Sequence, residues 1–498
     1  MTDPSHETKT SEQIEEDLAQ KYKQPKSVEQ FGVEAIPDEL RTVRWWDIFS
    51  IFLNFLVNPG TITIAGILIA AGLGFWQAMI TGVLSILIGF SVYLVAATVG
   101  SDYAIPGLVS MRSAFGIRGA SLTSILRALS SIYWFAFQTV AAAFGISMVL
   151  QRLFDREFSL IWICIACAVM QLVVSMYGYN ALAKLSRFAF VFKIGFSGVI
   201  VYLLMTYPMD GFAPSEVLTF AGSDHGQLTL MAFWAFAWGT SWFSNFTDAA
   251  DFCRYTKSRK EMWLGTLLAA IVGQLICSFI GGYAVAALGG HMGSEESSLT
   301  VIVDVTRGSG ILLVLVLVYV VLDAWMINVQ NLYTAGLAIT SLFERIGRFW
   351  GTLGVGILGI ALSMSSSLIS GFDGYMDALG NIFAPLAGVF VAHYVVLQRW
   401  GMSVPDLFAG EQSRYWYWQG VNWVAMGAVV VGIPVNHLVP QEYGNILVSA
   451  VFSGVVYLVS VSVLKRNSAP LVTALYPIPD RPTHSYRDKG VAADYIAV

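Results

Sequence analysis

Long apolar runs separated by short polar stretches recur along almost the whole 498-residue chain. The hydrocarbon core of a bilayer is roughly 30 Å thick and takes about 20 residues of α-helix to cross. The runs therefore predict an all-α membrane protein of about twelve spans. They fall over residues 47–71, 76–99, 122–150, 158–178, 187–207, 229–249, 262–288, 311–341, 349–367, 371–397, 417–436 and 443–464. A transmembrane barrel needs alternating apolar and polar positions, whereas stretches such as Ile311 to Leu322 are apolar on every face, which excludes it. The expected organisation is a polar N-terminal tail over 1–40, a ten-helix core over 41–400, two additional helices over 401–464 and a polar tail over 465–498.

Two spans carry polar interruptions. In the first, Asn54 and Asn58 lie four apart and are followed by Pro59-Gly60, which removes a backbone donor and loosens the turn. The sixth is interrupted by Gly239-Thr240-Ser241, with Ser244, Asn245 and Thr247 behind. Non-helical backbone at membrane depth is tolerated where it lines a cavity or is buried in protein. Breaks five spans apart match an inverted repeat of five plus five helices with the site at the repeat interface.

Composition sharpens this picture. Hydrophobic residues make up 56% of the chain, charged ones 12%, and the mean hydropathy is +0.64, values of a protein whose solvent is lipid. The formal charge of −5 comes without a long basic run, so nothing argues for a nucleic-acid partner. Loops expected inside carry Arg112, Arg118, Lys184, Arg187, Arg254, Lys257, Arg259, Lys260, Arg345, Arg348, Arg399 and Arg414. Those expected outside carry Arg152, Arg156 and Arg307 against Asp210, Glu216, Asp224, Glu295 and Glu296. This asymmetry predicts a multi-pass protein of the cell (plasma or inner) membrane with both termini cytoplasmic. The first 40 residues have no apolar signal-peptide core and, like the segment from Lys465 onward, read as loosely ordered tail. Cys164, Cys167, Cys253 and Cys277 sit in or beside apolar runs and read as packing residues.

Other classes of function find little support in the sequence. A membrane-embedded enzyme needs a nucleophile with its base or a metal cluster in the spans, and a pump needs a nucleotide-binding domain; the sequence supplies neither. A channel gives no reason for two facing discontinuous helices. A secondary transporter is the expected class, with no cofactor beyond a coupling ion, proton or sodium; a membrane-embedded enzyme or a channel is the different-class alternative.

Several motifs give this transporter a family. Glu34-Ala-Ile-Pro37, Arg41-Thr-Val-Arg-Trp-Trp-Asp47, Asn58-Pro-Gly-Thr61, Ser101-Asp-Tyr-Ala-Ile-Pro106, Arg112-Ser-Ala-Phe-Gly-Ile-Arg-Gly119 and Leu126-Arg-Ala-Leu129 leading to Trp134-x-x-x-Gln138 resemble the nucleobase:cation symporters. That family contains purine and cytosine permeases and carriers of uracil, allantoin and hydantoins. The resemblance implies a LeuT-type fold working by alternating access. It also implies a flat heterocycle held between a Trp of the third span and one of the sixth. Trp134 and Gln138 match the third-span pattern. Counting back from Asp251-Phe-Cys-Arg-Tyr255 gives Trp242 on the sixth, with Trp234 and Trp238 as neighbouring choices. On the eighth, Trp325-Met-Ile-Asn-Val-Gln-Asn331 resembles the cytosine-permease pattern and implies Asn328, Gln330 and Asn331 near the substrate, together with Asn54 and Asn58 of the first.

These residue types suit the chemistry. Indole faces stack on any planar base, while Asn and Gln amides match the donors and acceptors on its edge. The same amides also bridge neighbouring helices in membranes, an alternative that stays open for Asn54, Gln330 and Asn331. Sodium-coupled relatives use hydroxyl ligands on the eighth span where this chain has Met326 and Ile327, which offer no hard oxygen. Asp323, three residues earlier in an apolar run, is instead the expected proton carrier; a helix-bridging Asp is the alternative. Asp248 and Asp251, close to Arg254, read as a structural or gating ion-pair cluster. Asp373 and Asp377 fit an outer gate or a solvated loop equally, and His393 has no assigned role. The expectation is import of a nucleobase or related heterocycle, cytosine or purine favoured, in symport with a proton rather than sodium. The alternative is a sodium-coupled carrier of allantoin, a hydantoin or a vitamin-precursor pyrimidine. Oligomeric state is open.

Overall fold

A computed structural model describes residues 10–223, 227–291, 298–365 and 371–467. Apart from three isolated β-bridges, the regular structure of the described residues is helical, and helix falls on every expected span. After α1 (Ser11–Tyr22) come α2 (Trp45–Leu56) and α3 (Pro59–Ala70), which share the first span, then α4 (Phe75–Tyr103), α5 (Gly107–Phe115), α6 (Ala120–Phe154), α7 (Leu160–Tyr177) and α8 (Tyr179–Met205). The short α9 (Pro214–Val217) precedes α10 (Gln227–Phe243), α11 (Ala249–Cys253), α12 (Arg259–Ala287), α13 (Ser298–Asp304), α14 (Gly310–Leu342) and α15 (Arg348–Ser363). The last are α16 (Phe372–Val391), α17 (Val404–Phe408), α18 (Trp423–Gly432), α19 (Val435–Leu438) and α20 (Asn445–Asn467). Among the described residues eight helices are long and apolar enough to cross a membrane alone, and the bent pair α2–α3, taken as one span, makes a ninth. The helices on the sixth and ninth expected spans, α10 and α15, are shorter, at 17 and 16 residues.

Two helices at an angle share the first expected span. Helix α2 stops at Leu56, Val57 and Asn58 are extended, and α3 leaves at 56° to α2. Asn58 caps the new helix, its Oδ1 accepting from Thr61 N at 2.9 Å, and Pro59 stands at the first helical position, where no N–H is needed. The sixth span corrects the expectation: α10 runs through Gly239-Thr240-Ser241, and regular helix gives way to a 3₁₀ stretch at Ser244–Thr247 before α11. Small and hydroxylated residues weaken a helix without stopping it, and packing decides which of them yields.

The N-terminal segment also departs from expectation. From Thr10 onward it is folded rather than loose. Thr10 and Gln13 form a capping box, and Ile14, Leu18, Ala19 and Tyr22 make a buried stripe on α1. Residues 28–36 then run along one end of the helix bundle almost fully buried, and this end is the tail-bearing face below. The C-terminal tail beyond residue 467 lies outside the described residues.

Candidate functional site

Helix α6 presents Arg127, Trp134 and Gln138 at spacings of seven and four, which puts them on one face. Trp134 is half-buried and meets Phe137 and Tyr375 edge-on, each at 5.9 Å between ring centroids. Tyr375 of α16 stacks on Tyr133 at 3.7 Å and its hydroxyl lies 3.0 Å from Ser130 Oγ. Gln138 is buried close to the break in the first span: a Cβ added to Gly60 would lie 3.0 Å from Asn58 Oδ1 and 3.7 Å from Gln138 Nε2. The fold thus brings Asn58, Gly60 and Gln138 together from spans that are far apart in sequence.

Trp242 of α10 meets Phe55 at 5.6 Å and Phe90 at 5.8 Å, both edge-on, on the side of the helix facing α2 and α4. Among the described residues no ring contact joins Trp134 to Trp242. Trp238 is buried on the same helix, and the Trp234 indole N–H is buried without an acceptor.

The eighth-span amides point in two directions. Asn328 Nδ2 donates to Phe135 O (3.2 Å), Thr139 Oγ1 (3.0 Å) and Gln171 Oε1 (2.9 Å), while its Oδ1 accepts from Asn331 Nδ2 at 3.3 Å. This pair ties α14 to α6 and α7. Gln330 lies seven residues after Asp323, on the same side of α14, and is buried with both amide atoms unpartnered. Asn54 donates to Ser50 O (2.7 Å) and Ser186 O (2.8 Å), anchoring α2 to α8.

Breaking the first span frees backbone carbonyls that must find donors away from water. Phe55 O and Leu56 O accept from Asn58 Nδ2 at 3.0 and 3.3 Å, and Cys277 Sγ lies 3.6 Å from Leu56 O. Asn54 O and Val57 O accept from the ammonium of Lys193 on α8, the first at 3.0 Å. The same nitrogen donates to Asp323 Oδ1 in an ion pair with both side chains at 0% exposure. An ammonium has three hydrogens, and Lys193 finds three oxygens here. The sequence analysis found Asp323 and missed Lys193, although the signal was the same: an ionisable residue inside an apolar run.

Nearer the tail-bearing face, Arg127 pairs with Asp248 at 2.6 Å and donates to Asn245 Oδ1 at 3.2 Å, while Asp251 Oδ1 accepts from Gly107 N at 2.8 Å. The expected cluster of these acids with Arg254 is therefore rearranged. Arg254 turns to Glu29 of the N-terminal segment, Nη2 to Oε1 at 2.7 Å. Burial pushes the Glu29 carboxyl up, but Arg348, Arg254 and hydrogen bonds from Tyr255 and the Tyr179 N–H outweigh it and hold the group below its ordinary value. His393 shares a hydrogen bond with Tyr457 at 3.0 Å, joining the tenth and twelfth spans. The side chains of Asp373 and Asp377, and residues Asp224, Glu295 and Glu296, lie outside the described residues.

Comparison with known proteins bears on the family and the fold. A family model described as "Permease for cytosine/purines, uracil, thiamine, allantoin" matches residues 35–460. The hydantoin permease of Microbacterium maritypicum is 28% identical over 354 residues, 67% of this chain and 69% of the permease. The allantoin permease of Bacillus subtilis (strain 168) is 24% identical over 426 residues, 79% and 84% of the two chains. The structure of Mhp1, a nucleobase-cation-symport-1 family transporter, in a closed conformation with bromovinylhydantoin bound, matches with a TM-score of 0.76 at 20% identity, over 93% of this chain and 99% of that one. This likeness establishes the LeuT-type all-α fold.

Proposed function

This chain belongs to the family of membrane permeases for cytosine/purines, uracil, thiamine and allantoin, and on that premise we propose that it imports a nitrogen heterocycle in symport with a proton. Import fits a tail-bearing face that is cytoplasmic, in keeping with the Lys and Arg of its loops. The substrate is a flat ring lying against Trp134, its edge read by Gln138 beside the Asn58–Gly60 break. Gln330 is the further amide with capacity to spare, whereas Asn328 and Asn331 serve the scaffold. Trp242, or a neighbour on α10, closes the other side.

The observation that carries the coupling ion is the Lys193 ammonium among the Asn54, Val57 and Asp323 oxygens. A sodium ion there would need these oxygens as ligands, and they are already taken by a positive charge. Met326 and Ile327 add no replacement. A proton on the Lys193–Asp323 pair staples the broken first span to the fifth and eighth. Its loss removes a donor from the break and lets α2 move relative to α8. Gln330, the eighth-span amide that the scaffold leaves unpartnered, is the residue on which a preference for cytosine or a purine over allantoin or a hydantoin rests.

The test is uptake into proteoliposomes. A panel of labelled cytosine, purines, uracil, allantoin and hydantoins is offered under an inward proton gradient, then under an inward sodium gradient at equal pH. Accumulation of a base under the proton gradient alone is expected. Accumulation that needs sodium and ignores pH overturns proton coupling.

A further inference from the structure

Glu29 holds a place that no simple tail residue needs. Its Oε1 accepts from Arg254 Nη2 (2.7 Å), the Tyr255 hydroxyl (2.6 Å) and the Tyr333 hydroxyl (3.1 Å). Its Oε2 accepts from Tyr179 N (2.8 Å) and faces Arg348 Nε at 3.5 Å. Arg254 and Arg348 are themselves fully buried. One carboxylate therefore joins the end of the sixth span to the fifth, eighth and ninth. Gly178, at the α7–α8 turn with φ +89°, makes the approach possible: a Cβ there would lie 2.4 Å from Glu29 Oε2.

The backbone around Glu29 is stitched to the same face. Glu29 N donates to Tyr177 O (3.2 Å), Ile36 N to Ala104 O (3.0 Å) and Val43 N to Tyr255 O (3.1 Å). Arg254 Nη1 returns to Gly32 O at 2.8 Å and Arg41 Nη2 reaches Thr256 O at 2.6 Å. Residues 28–43 thus bridge the ends of α4, α7 and α11. A carrier of this architecture exposes its site to one side by moving one group of helices against the other. Glu29 joins the end of α11 to α14 and α15, through Arg254, Tyr333 and Arg348.

We propose that residues 28–43 are a withdrawable bolt on the tail-bearing gate, with Glu29 as its catch. The proposal rests on the reading of the chain as an alternating-access carrier. Glu29 must leave Arg254 or Arg348 each time the site opens to this side and return before it opens to the other. Buried charge-assisted hydrogen bonds make the closed gate the ground state.

Cys253, next to Arg254 and buried on α11, reports the gate. In purified full-length protein with the other three cysteines replaced by alanine, alkylation of Cys253 by N-ethylmaleimide is followed in wild type, Glu29→Gln, and Glu29→Gln combined with Arg348→Gln. The double variant restores charge balance and covers the case in which the single one fails to fold. Labelling about tenfold faster or more than wild type is expected in a folded variant, together with uptake that no longer accumulates against a gradient. Unchanged labelling and uptake in a folded variant overturn the bolt. Wild-type protein that accumulates no heterocycle under any gradient overturns the carrier reading instead.

Discussion

The Lys193 ammonium on α8 and the Asp323 carboxylate on α14 form an ion pair with neither side chain exposed. Taking one partner away strands a buried charge at a cost of roughly 3 to 5 kcal/mol, whereas replacing both by apolar residues often costs little. Lys193→Met and Asp323→Leu are expected to lower thermal stability strongly. The double variant should recover most of it yet fail to accumulate substrate under a proton gradient. Melting curves and proteoliposome uptake on the three proteins check both halves.

Trp134→Ala removes the proposed stacking face. Base stacking on an aromatic side chain is worth about 1 to 3 kcal/mol, so substrate affinity should fall roughly 5- to 150-fold, while Trp134→Phe keeps most of it. Titration calorimetry measures this directly. Equal affinity in the alanine variant would move the platform elsewhere.

Gly60→Ala places a methyl 3.0 Å from Asn58 Oδ1, an atom already fixed by capping Thr61 N. Disturbing such a cap costs about 1 kcal/mol. A small loss of thermal stability with a clearly larger loss of uptake is expected, since the methyl also approaches Gln138. Parallel melting and uptake measurements separate the two.

Asn328→Leu tests scaffold against substrate contact. The amide joins α14 to α6 and α7, and leaving its partners unpaired costs about 1 to 3 kcal/mol. Stability should fall while substrate affinity in the folded fraction stays within about threefold, a difference under 1 kcal/mol. A large affinity loss at unchanged stability would make Asn328 an edge reader.

Glu29 predicts a pH effect of definite sign. Its carboxyl is held below the ordinary value of 4.5 in the folded protein. Its contribution to stability is therefore fully present above about pH 4.5 and is lost as pH falls through the lower folded value. The gap in melting temperature between wild type and Glu29→Gln should be constant near neutrality and narrow below that point. A gap that widens on acidification would contradict it.

Much of the architecture was legible because it is local. A run such as Ile311 to Leu322 can satisfy its backbone in lipid only as helix, whatever surrounds it. Asn58-Pro59-Gly60 likewise carries its own break, with a cap, a missing donor and a residue without a side chain. Trp134 and Gln138 share a face by spacing alone. The sixth span was harder to read, because Gly239 to Ser241 offered one weak point and Ser244 to Thr247 another, and only packing chose between them.

The sequence by itself determined where the long apolar helices fall, that Pro59-Gly60 follows a capping Asn58, and that Trp134 and Gln138 share a helix face. Tertiary structure alone decided that Lys193 meets Asp323 across 130 residues, that Asp248 takes Arg127 rather than the nearby Arg254, and that Glu29 of an apparently idle tail sits between Arg254 and Arg348. Helix and break follow from groups within a few residues of each other, whereas a buried charge selects its partner by distance in space, which sequence order does not encode.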